Sequence, residues 1–114
     1  MPEIQPNDIK SQEWLKSYNM NRWVRLGEKF FYSTDYKEPH SKIAIDNGAQ
    51  ISASSEHKPL VGDAGDIHVV EGKIFFGGST TSCEVVGDEL QARIKTNEVA
   101  KKQFGEEFIY PFAA

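Results

Sequence analysis

Three histidines, one cysteine and a few closely spaced carboxylates are the side chains of this chain best suited to chemistry. Two imidazoles aimed at one metal ion stand i, i+2 on a strand or i, i+4 on a helix, and His40, His57 and His68 stand in neither relation. Asp63 and Asp66 lie in "VGDAGDIH", but calcium needs more oxygen ligands in one loop. Turn aspartates bonding their own backbone are the simpler use. Ser52, Ser54 and Ser55 lie near His57 without a nucleophile elbow or an orienting acid. Neither phosphate-cradling glycine motif, G-x-x-x-x-G-K-[ST] nor G-x-G-x-x-G after a strand, is present. The residues therefore point to no catalytic set, no metal site and no cofactor.

The aromatic residues are the stronger signal. Trp14, Trp23, Phe30, Phe31, Tyr32 and Tyr36 fall within 23 residues, beside Arg22 and Arg25. Trp, Tyr and Arg dominate the energetics of protein interfaces, which makes Trp23, Arg25, Phe30, Tyr32 and Tyr36 the candidate binding residues. The competing use of such bulk is to fill a core.

The elements that must position these residues are read from turns. In "DIHVVEGKIFFGG", apolar residues alternate on both sides of Glu71-Gly72, and a two-residue loop sets Val69 opposite Ile74 and Ile67 opposite Phe76. A one-residue slip would scatter that face. His68 then falls opposite Phe75 on the other face. Gly77-Gly78 and Gly87-Asp88 continue the pattern through "STTSCEVV" and "ELQARIK", giving an antiparallel meander from Asp66 to about Lys95, with Cys83 facing inward as a small hydrophobe. A hairpin in "RWVRLGEKFFYS" turns near Gly27-Glu28 and puts apolar bulk on both faces, so it is either covered on both or presents aromatics to a partner. "KIAIDNGAQISAS" suits a hairpin with a three-residue loop at Asp46-Asn47-Gly48. Residues 52–65 read as a polar loop. A short helix is expected in "NDIKSQEWLKSYN", capped by Asp8 or Ser11, and another in "NEVAKKQFG", begun by Asn97 and stopped by Gly105. "EFIYPF" reads as a final edge strand.

Length and composition bound the rest. The 114 residues suffice for one core, and 39% hydrophobic with 26% charged residues is an ordinary globular balance. No apolar run approaches the ~20 residues that span a bilayer, and the polar start "MPEIQPNDIKSQEW" lacks a signal-peptide core. A cytoplasmic location is the expectation. Cys83 alone makes no disulfide within the chain. A net charge of −4 with scattered cations argues against a nucleic-acid backbone as partner.

From His57 to Phe112, the order "HVVEGK" then "VVGDEL" resembles the small cupins, in which a histidine-bearing strand leads into a "V-x-E-G" hairpin and later a "G-D" turn. The resemblance implies a β-barrel. Its metal-binding histidines do not carry over: "EHKPL" holds only His57, and "NEVAKKQF" holds none.

These readings lead to an all-β expectation: one domain over residues 1–114, about eight antiparallel strands closed as a small barrel or jelly roll, with short helices at both ends. The expected function is a non-catalytic binding or assembly module, engaging a protein partner or a second copy through the aromatic-rich face, with no nucleic-acid or membrane partner. The alternative is a small-molecule-binding barrel or cupin-like metal-dependent enzyme using His40, His57 and His68.

Overall fold

The computed structural model of the chain describes residues 3–10, 22–33, 40–48, 59–60, 62–77, 84–85 and 89–111. In chain order the elements are α1 (Pro6–Lys10), β1 (Arg22–Leu26), β2 (Lys29–Ser33), α2 (His40–Asp46), β3 (Pro59–Leu60), β4 (Gly62–Val70), β5 (Lys73–Gly77), β6 (Glu84–Val85), α3 (Glu89–Phe104) and a 3₁₀ turn at Glu106–Phe108. Four strands form one open antiparallel sheet in the order β2-β1-β4-β5, and β3 pairs with β6 in parallel as a separate two-stranded piece.

The expected closed barrel of about eight strands is therefore replaced by an open sheet flanked by helices. Two segments account for the difference. "ELQARIK", expected as the last strand of a meander, is the first half of α3. Leu90, Ala92 and Ile94 do alternate, but the buried residues of this element are Thr96, Val99, Ala100 and Phe104, a helical spacing, while Leu90 is 48% exposed. Alternation over three positions yields to a run of strong helix formers, Glu89 to Arg93. The helix expected from Asn97 is thus its second half, and Gly105, at φ 99°, ends it as expected, its N–H bonding Lys101 O at 3.1 Å.

"KIAIDNG" is likewise helical. His40, Ile43 and Ala44 are buried at i, i+3 and i+4, whereas Ile45 is 51% exposed. Asp46-Asn47-Gly48, expected as a three-residue hairpin loop, is instead the last residue of α2 and its cap. Asn47 donates its side-chain amide to Ile43 O at 2.7 Å, and Gly48, at φ 97°, donates its N–H to Ile45 O. A left-handed glycine serves a helix end as well as a β-turn, so the dipeptide alone does not choose between them. Thr81 and Cys83 of the expected next strand lie outside the described residues, as do Ala49 to Ser54.

The hairpin read from alternation about Glu71-Gly72 holds in register, and the chain also turns back at Gly27-Glu28 as expected. In β4–β5, Val69 stands opposite Ile74, Ile67 opposite Phe76, and His68 opposite Phe75. In β1–β2, Trp23 stands opposite Tyr32 and Leu26 opposite Lys29 around Gly27-Glu28. The apolar bulk on both faces of that hairpin is covered on both. Trp23, Phe30, Ile74 and Phe76 pack under α3 with Ile4, Ile9, Phe104 and Ile109, while Val24 and Ala64 pack under α2 with Ile43 and Ala44. Phe30 stacks on Phe76 at 4.6 Å between centroids, with Trp23 edge-on to Phe76 at 5.3 Å.

Segments from either end of the chain clip the edges of this sheet. Ile4 donates its N–H to Phe30 O on β2 at 2.7 Å, and Tyr110 donates to Ile74 O on β5 at 2.8 Å. "EFIYPF" thus contributes a 3₁₀ turn and one bridge at buried Ile109 instead of a full edge strand. At α1 the cap is Gln5, and Asp8, three residues on, reaches back to accept the Gln5 N–H at 2.8 Å. No helix among the described residues is long and apolar enough to cross a membrane.

Gly65 marks where side chain and backbone cross most closely. The Trp23 indole N–H reaches over β4 to Asp66 O at 3.0 Å and Gly77 O at 3.2 Å. A Cβ on Gly65 would lie 1.9 Å from Gly77 O and 3.2 Å from that indole nitrogen. Gly48 has nothing within 4 Å of such a Cβ. Urea unfolding is therefore expected to separate the two alanine variants. Gly48→Ala should cost about 1 kcal/mol, from backbone conformation alone, and Gly65→Ala about 3 kcal/mol or more, from backbone displacement.

Candidate functional site

Among the described residues, polar side chains gather at two places, one on each face of the sheet. Under α3, Asp63 of β4 is completely buried directly across from Arg25 of β1. Its carboxylate accepts Arg93 Nε at 2.8 Å, Thr96 Oγ1 at 2.8 Å and the Ala64 N–H at 2.9 Å. Thr96 in turn accepts Arg25 Nε at 2.8 Å, and Arg25 donates on to Gly27 O at 2.8 Å. The Arg93 guanidinium also lies over the Trp23 ring, 5.6 Å from its centroid. Burial pulls the Arg25 pKa down and the Asp63 charge pulls it back up; a guanidinium stays charged throughout.

This arrangement offers no open coordination position and no nucleophile. Thr96 already accepts one bond and donates another, and Asp63 is held by donors from β4 and α3. What it does is bind α3 to β1 and β4. Gln103 adds a tie at the far end of the helix, donating its side-chain amide to Glu28 O in the β1–β2 turn.

On the opposite face, His40 is buried at the start of α2, with Nε2 2.8 Å from Gly65 O. A bond to a carbonyl puts the proton on Nε2. Burial lowers the His40 pKa below 6.5, and Arg22 lowers it further. The Gly65 carbonyl and the Asp66 carboxylate raise it, without reversing the net shift. Arg22 stands directly opposite Asp66, and its Nε is buried without a hydrogen-bond partner.

Further along the same face, His68 is exposed, and its ring centroid is 6.2 Å from that of Phe75. Phe75 meets Tyr110 edge-to-face at 6.3 Å. Gly77 makes room for this row: a Cβ there would lie 2.3 Å from the Phe75 ring.

The residues expected to form a binding face are placed mostly inside. Trp23 and Phe30 have no exposed surface, and Arg25 retains 5%. Tyr32 is half-buried against the same core, where burial and then the Asp8 charge raise its pKa. Tyr36 lies outside the described residues, as does His57. Of the remaining histidines, His40 is buried and His68 exposed. Among the described residues no three of His, Cys, Asp and Glu come together as metal ligands would.

Phe75 and Tyr110 were not among the sequence candidates. The signal for Phe75 was present: by register it stands opposite His68, a phenylalanine on the polar face of an alternating hairpin. Tyr110 joins it through a bridge between residues 74 and 109, which no local pattern announces. No protein-family model, no curated protein and no solved structure matches the chain.

The buried network yields a graded expectation. Asp63→Ala leaves two guanidiniums without their carboxylate and should cost about 3–5 kcal/mol in urea unfolding. Thr96→Val keeps the shape, loses both hydroxyl bonds and should cost about 1–3 kcal/mol.

Proposed function

We propose that this chain is a non-catalytic module that binds a protein partner, and that the contact surface is the outer side of the β4–β5 hairpin. The row His68–Phe75–Tyr110 carries this reading. It combines apolar ring area with polar tips, the character that interface residues favour. Phe75 is seated over Gly77, so little side-chain freedom is lost when a partner covers it.

Two further facts support a scaffold that binds without reacting. Asp63 is engaged by Arg93 and Thr96, and His40 by the Gly65 carbonyl. Both are tied to neighbouring elements and serve to hold helices on the sheet. Trp23 and Phe30 enter this reading as support for the surface and not as its contacts. Truncating either would cost about 3–5 kcal/mol in cavity formation, so lost binding in such a variant would report lost folding.

The test uses a photo-crosslinking residue at position 68, with the same residue at exposed Lys102 on α3 as the control. After irradiation in extract from the source cells, discrete adducts to one protein are expected from position 68 and not from 102. Equal labelling at the two positions, or none at either, rejects the surface. Light scattering of the pure protein separates a partner from a second copy, since self-association would raise the mass with concentration.

A further inference from the structure

The attachment of α2 joins a small apolar contact to a buried imidazole. The helix has seven residues, too few to persist without tertiary support. Its side chains in the core are Ile43 and Ala44, set against Val24 and Ala64 with Leu26 and Phe31 alongside. At its first residue, His40 reaches past β1 to the backbone of β4, placing Nε2 on Gly65 O.

The charges around that imidazole decide what protonation would do. From β1, Arg22 faces it and repels a second cation. From β4, Asp66 faces it and attracts one. From β2, Ser33 lies at this end of the sheet, opposite Arg22, and Lys29 lies at the other end, opposite Leu26. On α2 itself, Lys42 and Asp46 are exposed and pair with each other at 3.0 Å. His68 follows Asp66 on β4 and is exposed. The bond to Gly65 O survives protonation, since both forms carry a proton on Nε2. The cost of charging the ring therefore lies not in losing that bond but in placing an imidazolium in a buried site beside Arg22, whose own Nε is already without a partner. A positive charge is also unfavourable at a helix start.

We propose that His40 is a pH-sensitive latch for α2, holding the helix on the sheet when neutral and releasing it when protonated, so that the apolar face formed by Val24, Leu26, Phe31 and Ala64 is uncovered in mild acid. The sign follows from burial. A buried histidine that resists protonation binds fewer protons folded than unfolded. Its stabilisation is complete above the unfolded value near 6.5 and is lost as the pH falls from there toward the folded value. Release is local because α3 is held on the opposite face by Asp63, Arg93 and Thr96, independently of α2.

Amide hydrogen exchange on the intact protein tests this. Protection factors at Ala44, Ile45 and Asp46, corrected for intrinsic rates, are expected to fall severalfold between about pH 7.5 and about pH 5.5. Those at Val99 and Ala100 in α3 should hold. His40→Gln keeps a donor for Gly65 O without a titrating ring and should abolish the pH dependence. Arg22→Gln keeps His40, removes the facing cation and should shrink the loss of protection, so it tests the idea even if His40→Gln fails to fold. Equal loss of protection in α2 and α3, an unchanged response in His40→Gln, or an undiminished loss in Arg22→Gln would overturn the proposal.

Discussion

A carboxylate with no exposed surface must have its charge met inside the protein, and Asp63 has it met by a helix thirty residues further along the chain. Unpaired, such a group would cost several kcal/mol. The pairing with Arg93 and Thr96 therefore sets where α3 sits and how it is rotated about its axis. That placement brings Val99, Ala100 and Phe104 over Trp23, Phe30 and Phe76. It also carries the chain through Gly105 toward the bridge at Ile74. The apolar contacts supply most of the gain on burial, but they are non-directional. The polar joint gives the helix its register.

The second organising feature is the two-sidedness of β1. Adjacent residues, Trp23 and Val24, point to opposite faces, and both are fully buried. A strand covered on both faces needs elements on both sides, and α3 and α2 are those elements. They are held differently. The α3 face combines a charged pair, stacked aromatics and a long helix. The α2 face combines a short helix, small apolar residues and the bond of His40 to Gly65 O. One side is thus anchored by a buried ion pair, the other by the bond of a histidine whose pKa burial lowers.

Much of the local structure was legible. The β4–β5 register followed from alternation about Glu71-Gly72, because the side-chain period of a strand admits only one pairing that keeps Ile67, Val69, Ile74 and Phe76 together. The β1–β2 turn and the helix stop at Gly105 were legible for the same reason: each depends on a few neighbouring residues. The α2 helix and the first half of α3 were misread, since Ile43 with Ile45, and Leu90 with Ala92 and Ile94, satisfy a two-residue period over spans too short to exclude a helical one. The aromatic group stands out in the sequence, but whether it faces a partner or the core depends on what covers the sheet. Asp63 drew notice as a turn residue, and its actual partners, Arg93 and Thr96, gave no local sign of the pairing.

What the sequence by itself determined is therefore short-range: where the chain reverses, which residues share a face of a hairpin, and where the long helix ends. These rest on backbone conformation and side-chain period, which act over a few residues. Only the tertiary structure decided that the sheet stays open between helices, that Trp23 and Phe30 are interior, and that His40 and Asp63 are pinned on opposite faces. Each of those depends on contacts between residues distant in the chain, and the cost of burying a charge or a ring is set by whichever groups the fold brings to meet it.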